Sequence, residues 1–256
     1  MLVESTRNDA VKRAKALANK KGRTEQGLHF IEGEKLVREA IVSGAEFVEA
    51  FVEEGHDLME AVLIGSGARV YTAKRHVIES MTNTESPQWV CATVKTPPTD
   101  VPEVYPSGLI IALDKVQEPG NLGTIIRTAD AMGAAAVLLG TGSTDAFSPK
   151  ALRAAMGSTY HLRIFQCELS ETLPKLRESG FSLVCGHLAG EERLPMLNRD
   201  CVIVIGNEAN GVSDGIARLC SLCRLPMLGR AESLNASAAA SILIFETAKK
   251  INGIEF

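Results

Sequence analysis

A run of five apolar residues, 201–205, ends abruptly in a loop of glycine, asparagine and glutamate at residues 206–211. A run this short and this apolar predicts a fully buried strand, so the loop places polar groups directly at the carboxyl end of that strand. A second loop of the same character, residues 225–235, precedes a helix rich in alanine and serine. Because ligands bind beyond the carboxyl ends of parallel strands, the two loops predict one ligand site.

Predicted strands and helices alternate through the rest of the chain. After residue 108, short apolar strands alternate with helical patterns, which predicts an α/β fold with a parallel sheet covered on both faces. Before residue 95, shorter strands and helices predict a small α/β unit. Four of the ten prolines fall between residues 95 and 108 and indicate an extended linker. We therefore predict an N-terminal domain at 1–95, a linker at 96–107 and a second domain at 108–256.

Composition narrows the class of protein. The chain is 45% hydrophobic, which is enough for a packed core, yet no apolar run approaches the roughly 20 residues that cross a bilayer. The N-terminus lacks the apolar region of a signal peptide, so we expect a cytoplasmic protein. The six cysteines mostly stand singly in apolar runs, which predicts free thiols. Cys220 and Cys223 have the spacing of a zinc pair, but no second pair stands nearby and no metal site is predicted.

Charge is unevenly distributed along the chain. The net charge of -4 argues against attraction of the whole molecule to nucleic acid. Residues 1–23, however, carry seven basic side chains and only two acidic ones. This basic N-terminal helix either lies along phosphates or is simply a solvated helix, and the sequence leaves both interpretations open.

A third polar strand end, residues 114–127, leads into a predicted helix at 122–132. The spacing of Ile125, Ala129 and Met132 defines its buried face, and Arg127 lies about 200° round the helix from Ile125. Arg127 is therefore either a solvated arginine or a cation presented to a phosphate or to a second subunit. Trp89, the only tryptophan, opens an apolar strand and is interpreted as a core residue rather than a platform for base stacking.

Three further polar residues lie in the two loops named first. Glu208 follows a buried strand and could cap a helix or bind an amide or hydroxyl group, while Ser233 and Asn235 are suited to cap the last helix. The chain has no complete dinucleotide fingerprint and no phosphate-binding loop of the Walker type. No histidine is paired with a nucleophile loop, so a triad hydrolase has no support.

Together the three loops resemble the SpoU (TrmH-like) branch of the SPOUT RNA 2′-O-ribose methyltransferases. The three motifs of that family occur in order at residues 121–127, at 205–211, and at 225–227 with 233–237. The region before the linker is similar to the family's RNA substrate-binding domain through residues 30–37. The resemblance implies a small N-terminal α/β RNA-binding domain, followed by a SPOUT α/β domain whose parallel sheet carries a deep trefoil knot.

The resemblance also implies an activity, a cofactor and partners. The cofactor would be S-adenosyl-L-methionine, and the chain would act as a homodimer. The enzyme would methylate a ribose 2′-hydroxyl of structured RNA. The RNA would be ribosomal rather than transfer RNA. A transfer RNA enzyme, a non-catalytic RNA-binding protein of the same fold and transfer to a base nitrogen stay open as alternatives. Asn121, Arg127, Glu208, Ser233 and Asn235 would form the catalytic site, and Gly140, Gly206, Leu225 and Leu234 would bind the cofactor.

Overall fold

The computed structural model describes residues 1–82, 84–230 and 234–254. The chain divides into two compact units. The first comprises Met1–Pro97 together with Asp145–Tyr160, and the second comprises Pro98–Thr144 together with His161–Phe256. The domain prediction had assigned residues 145–160 to the second domain, whereas in the structure they pack with the first.

The first unit is built around a five-stranded sheet in the order β1-β4-β3-β5-β2. Strands β1, β4 and β3 are parallel, and β5 runs antiparallel to both β3 and β2. Its elements are β1 (Leu2–Val3), α1 (Asp9–Ala16), α2 (Lys20–Gln26), β2 (Leu28–Glu32), α3 (Glu34–Val42), β3 (Phe47–Glu53), α4 (Asp57–Gly65), β4 (Arg69–Ala73), α5 (Arg75–Glu79) and β5 (Val90–Lys95).

Residues 145–160 complete the first unit and contain α7 (Pro149–Ala155) and a 3₁₀ turn at Ser158–Tyr160. Ser148 caps α7 by accepting a hydrogen bond from the Ala151 N–H, as the sequence predicts. The segment is attached through buried polar contacts. The Arg23 guanidinium pairs with Asp145 at 2.7 Å, and the Tyr160 hydroxyl lies 2.7 Å from Nε2 of His29. Both Arg23 and His29 are buried.

Two interpretations of the first unit change in the structure. Arg23 does not contribute to a basic surface, because its side chain is buried against Asp145, and Arg13 is paired with Glu49. Trp89 is half-buried rather than a core residue, since it precedes β5 and stacks on the ring of His56 with 3.9 Å between ring centroids and 7° between planes.

The second unit contains a six-stranded sheet in the order β11-β9-β10-β6-β7-β8. Every pairing in it is parallel, which confirms the predicted α/β fold class. Its elements are β6 (Leu109–Leu113), α6 (Pro119–Ala131), β7 (Ala136–Gly140), β8 (Arg163–Cys167), α8 (Leu169–Glu178), β9 (Ser182–Glu191), β10 (Cys201–Ile205), α9 (Asp214–Ala217), β11 (Ser221–Cys223) and α10 (Ala236–Asn252).

Helix α10 packs on the sheet and on α6 through the face opposite to its large exposed side chains. Leu243 and Ile244 are buried, whereas Ile242 and Phe245 are 43% and 37% exposed. Small residues form the contact between α6 and α10, where the hydroxyls of Thr128 and Ser241 lie 3.0 Å apart. Leu234, Ala238, Ile242 and Phe245 follow one another at intervals of three or four residues and form an exposed stripe on the surface of this chain.

No helix in the described part of the chain is long and apolar enough to span a membrane. The six cysteines are free thiols. Within residues 1–82, 84–230 and 234–254, no group of three or more His, Cys, Asp or Glu side chains could hold a metal ion.

Candidate functional site

The candidate site lies at the carboxyl ends of two adjacent central strands, β6 and β10. The strands are paired in register along their full length, with Leu113 opposite Ile205. Beyond that pair the Asp114 N–H donates to the Ile205 carbonyl at 2.8 Å, and the Asp114 carboxylate accepts from the Ser213 N–H at 2.7 Å. The loops that leave the two strands are thus held together from their first residues.

Glu208 connects the loop after β10 to the start of α6. Its carboxylate accepts a hydrogen bond from the Asn121 side-chain amide at 3.0 Å and from the N–H groups of Glu118 and Gln117 at 3.3 and 3.4 Å. Burial alone would raise the pKa of Glu208. The hydrogen bonds from Asn121 and from backbone N–H groups outweigh that effect and hold the pKa below its ordinary value. The side chain is therefore an ionised acceptor at neutral pH.

The loop at 206–211 closes on itself. The backbone groups of Asn207 and Gly211 exchange two hydrogen bonds of 2.9 Å, and the Asn207 side-chain amide donates to the Lys115 carbonyl. Gly206 stands where the two ends of the loop meet. A Cβ at Gly206 would lie 2.0 Å from the Gly211 carbonyl carbon, so only glycine permits this close approach of backbone.

Asn235 caps the N-terminus of α10. Its side-chain oxygen accepts from the Ser237 N–H at 2.9 Å and from the Ser237 hydroxyl. The predicted capping role is thereby confirmed, and Asn235 is exposed at the start of the helix. Ser233, the other predicted cap and site residue, lies outside the described residues.

A cavity of about 640 Å³ opens between these loops. Its walls come from residues 186–188 of β9, residues 205–211, residues 223–225 with Met227, and the first turns of α10. Of the predicted cofactor-binding residues, Gly206, Leu225 and Leu234 line the cavity, and Glu208 joins them there. Gly140, Asn121, Arg127 and Asn235 are not among the lining residues.

Arg127 and Gly140 occupy different places in the second unit. Arg127 is exposed on α6, and it forms no hydrogen bond or ion pair within the described residues. Gly140 ends β7, where a Cβ would lie 2.8 Å from the Leu113 carbonyl oxygen. Gly140 therefore permits close packing of β7 beside β6.

Residues 186–188, Glu192 and Arg224 line the cavity but were missed by the sequence interpretation. In the structure β9 continues beyond Cys185 to Glu191, so residues 186–188 belong to a strand of the sheet. Since β9 is the neighbour of β10, the rule that had singled out residues 206–211 could also have indicated Gly186 and His187. The ion pair between Glu192 and Arg224 depends on the β9–β11 pairing and has no local sequence signal.

The cavity offers apolar walls together with backbone groups. Leu225, Leu234 and Leu243 supply apolar surface. The N–H groups of Leu225 and Met227 donate no hydrogen bond to any acceptor in the part of the chain that the structure describes. Such a site suits a flat aromatic ring whose polar edge is read by backbone groups.

The fold and this site define a parallel α/β protein that binds a small molecule in loops beyond the carboxyl ends of adjacent strands. The chain belongs to the SpoU rRNA Methylase family, which it matches over residues 108–245. Residues 8–92 match the MRM3-like substrate binding domain. The resemblance of the three motifs to the SpoU methyltransferases is confirmed, and the chain is a methyltransferase of this family.

Relatives with known names or structures match almost the whole chain. The chain is 34% identical to the 23S rRNA (guanosine(2553)-2′-O)-methyltransferase RlmP of Bacillus subtilis, over 95% of this chain and 97% of that protein. The crystal structure of an AdoMet-bound rRNA methyltransferase from Sinorhizobium meliloti is 34% identical, has a TM-score of 0.89 and aligns over 98% and 97% of the two chains. The methyltransferase AviRb of Streptomyces viridochromogenes, in complex with AdoMet, is 26% identical with a TM-score of 0.85, over 95% and 98%.

Proposed function

We propose that this chain is an S-adenosyl-L-methionine-dependent RNA methyltransferase that transfers a methyl group to a ribose 2′-hydroxyl of ribosomal RNA. The observation that carries the proposal is the cavity formed by the family's second and third motifs, with Glu208 connecting it to the first motif at Asn121. Two of the relatives, RlmP and the enzyme from Sinorhizobium meliloti, are named as rRNA methyltransferases, which supports ribosomal RNA as the substrate.

The residues of the cavity fit this cofactor. A volume of about 640 Å³ is in the range of small-molecule sites, and Gly206 allows the loop at 206–211 to close and to present its backbone at the cavity wall. The backbone of residues 206, 225 and 227 would hold the adenine edge, with Leu225 and Leu234 against the ring faces. When bound, the cofactor supplies an electrophilic methyl group on a sulfonium.

The other predicted site residues would either bind the RNA or hold the loops of the cavity in position. Arginine side chains stay protonated in proteins, so we assign Arg127 to hold the phosphate beside the reacting ribose rather than to remove a proton. Glu208 and Asn121 fix the relative position of two loops, and Asn235 fixes the start of α10. Gly140 acts through strand packing, and Ser233 remains a proposed site residue by family resemblance.

A homodimer would bring Arg127 to a cofactor cavity. Arg127 does not line the cavity of its own chain, and it is exposed on α6 next to Thr128, whose hydroxyl contacts Ser241 of α10. Leu234 and Ile242 of the exposed stripe are 39% and 43% exposed. A second copy that covers the stripe would bury this apolar surface and place its own cavity loops near Arg127, so that the site is completed in trans.

The dimer is tested by sedimentation of the full chain. The wild type should sediment at twice the 27.4 kDa of one chain, and Ile242→Asp should shift it toward one chain. Val62→Asp is the matched control, because Val62 is an apolar residue on α4 that is 37% exposed, close to the 43% of Ile242. If the wild type sediments as a single chain, completion of the site in trans is excluded.

Two further parts of the proposal concern the chain path and the compartment. Helix α10 follows the loop that starts after β11 and packs against α6 and β10, which supports the trefoil knot that the family resemblance implies.

Free cysteines are typical of a reducing compartment and support a cytoplasmic location.

The activity is tested by methyl transfer to ribosomal and transfer RNA, with mapping of nuclease-resistant linkages. Arg127→Ala should retain cofactor binding by calorimetry and lose transfer, whereas Arg153→Ala, an arginine on α7 outside the motifs, should retain both. Undiminished turnover of Arg127→Ala would contradict its assigned role. Wild-type protein without affinity for S-adenosylmethionine would instead favour a non-catalytic RNA-binding protein, and a methylated base would contradict ribose transfer.

A further inference from the structure

The outer wall of the cavity contains an ion pair between two neighbouring strands. The Arg224 guanidinium lies 2.8 Å from the Glu192 carboxylate, and both residues line the cavity. The pairing of β9 with β11 positions them, because the Arg224 N–H donates to the Glu191 carbonyl at 2.8 Å. The register shifts from Leu222 opposite Cys185 to Cys223 opposite Glu191. Residues 186–190 therefore have no partner on β11, and three of them line the cavity.

Among the described residues that line the cavity, three have acidic or basic side chains of the Asp, Glu, Lys or Arg type, namely Glu192, Glu208 and Arg224. Glu208 is committed to the Asn121 amide and to two backbone N–H groups, and these bonds consume its acceptor capacity toward α6. Arg224 and Glu192 bond to each other, and their side chains remain 45% and 54% exposed. Among the described lining residues, these two charged side chains are therefore accessible to a ligand.

The chemistry of the methyl donor matches this pair. S-adenosylmethionine carries an α-ammonium and an α-carboxylate at the end opposite to its adenine, so this end is a zwitterion. A guanidinium binds carboxylates through its fork of N–H donors, and a carboxylate accepts from an ammonium. A cavity that holds the adenine with backbone groups still requires a complementary dipole for that opposite end.

We propose that Arg224 and Glu192 form the subsite for the amino-acid end of the methyl donor, with Arg224 on its carboxylate and Glu192 on its ammonium. This inference rests on the proposed function, because it assumes that the cavity binds S-adenosylmethionine. It assigns affinity for one half of the cofactor to two residues outside the three family motifs.

The competing explanation is that the pair only joins β9 to β11. An ion pair this exposed contributes little to stability. The chain contains a matched pair for comparison, since Glu191 and Arg193 form an ion pair of 2.9 Å on the same segment and do not line the cavity.

Calorimetry of the full chain with two probes separates the explanations. S-adenosylhomocysteine retains the amino-acid end, and 5′-methylthioadenosine lacks it. Arg224→Gln and Glu192→Gln should each weaken S-adenosylhomocysteine binding about tenfold or more, as expected for the loss of a hydrogen bond between charged groups. Binding of 5′-methylthioadenosine should stay within about twofold of wild type, because a ligand without the amino-acid end makes no contact with either side chain. The control variants Glu191→Gln and Arg193→Gln should bind both probes as wild type does.

The exchanged variant, Glu192→Arg with Arg224→Glu, restores an ion pair of opposite polarity. It should unfold at the wild-type temperature, because the ion pair is retained. It should still bind S-adenosylhomocysteine weakly, because each exchanged side chain now faces a ligand group of the same charge. Equal losses for both probes, or wild-type S-adenosylhomocysteine affinity in the single or exchanged variants, would overturn the subsite. If wild-type protein binds both probes equally well, the subsite fails and the cofactor assignment stands; if it binds neither, both proposals fail together.

Discussion

The carboxylate of Glu208 lies 3.0 Å from the side-chain amide of Asn121, which joins the loop after β10 to the first turn of α6. Asn121 is buried and its own N–H donates to the Glu118 side chain, so α6 begins inside a continuous hydrogen-bond network. Glu208 thus fixes one wall of the cavity relative to the helix that carries Arg127.

Replacing Glu208 by Gln should weaken this network and destabilise the loop. The amide would direct a donor at an N–H group that now faces an acceptor, so part of the network would be lost. Urea unfolding and S-adenosylmethionine titration measure the effect. Because the folded pKa lies below the ordinary value, the contribution of Glu208 is present above the ordinary pKa and is lost as the pH falls through the folded value. Glu178→Gln, an exposed residue of α8, should change neither quantity, and equal stability of both variants would refute the network.

Gly206→Ala should abolish cofactor binding, because its Cβ would meet backbone atoms of Gly211 and Val212 at 2.0 and 2.1 Å. Backbone cannot move aside as the end of a flexible side chain can, so the loop must open. Gly215→Ala is the matched control, since a Cβ there has nothing within 4 Å. Normal S-adenosylmethionine binding by Gly206→Ala, measured by calorimetry, would show that the loop tolerates the opening.

Asn235→Ala should lower the free energy of unfolding by about 1 kcal/mol, the typical contribution of an N-cap. Asn235→Asp retains a capping oxygen and should restore stability. Comparison of methyl transfer by the two variants then separates the cap from direct contact with RNA or cofactor. If Asn235 acts only as a cap, Asn235→Asp should recover both the melting temperature and the activity that Asn235→Ala loses.

His29 should make the first unit sensitive to acid. Burial lowers the pKa of His29 from 6.5 to about 3, so the unfolded chain binds a proton more readily than the folded chain between these values. This residue should therefore lower the free energy of unfolding by about 1.4 kcal/mol for each unit by which the pH is lowered from 6.5 to about 3. His29→Gln should show a shallower decline in urea unfolding over that range. An unchanged slope would mean that His29 becomes protonated without unfolding.

Helix starts and buried strands were predicted correctly where neighbouring residues in the sequence determine them. Ser148 and Pro149 predicted the start of α7, and the apolar run at 201–205 predicted the central strand β10. The start of α6 was misplaced by three residues, because Glu118 caps the helix and Pro119 occupies its first turn. Glutamate is a rare cap, so the sequence gives little warning of this start.

Elements that depend on a distant partner could not be predicted. Strands β1 and β11 have two and three residues and exist only through pairing with β4 and β9. The Glu192–Arg224 pair needs the same β9–β11 pairing. The positions of Arg127 and Asn121 outside the cavity walls likewise follow from three-dimensional packing, which motif order does not specify.

The attachment of residues 145–160 to the first unit has a consequence for how the gene can be divided. A fragment that ends in the proline-rich segment encodes a first unit without α7 and without the Asp145 partner of Arg23. Its buried guanidinium would lose its counter-charge, and His29 would lose Tyr160. Neither unit is therefore a contiguous segment of the chain, and recombination at the linker cannot transfer the whole first unit to another protein.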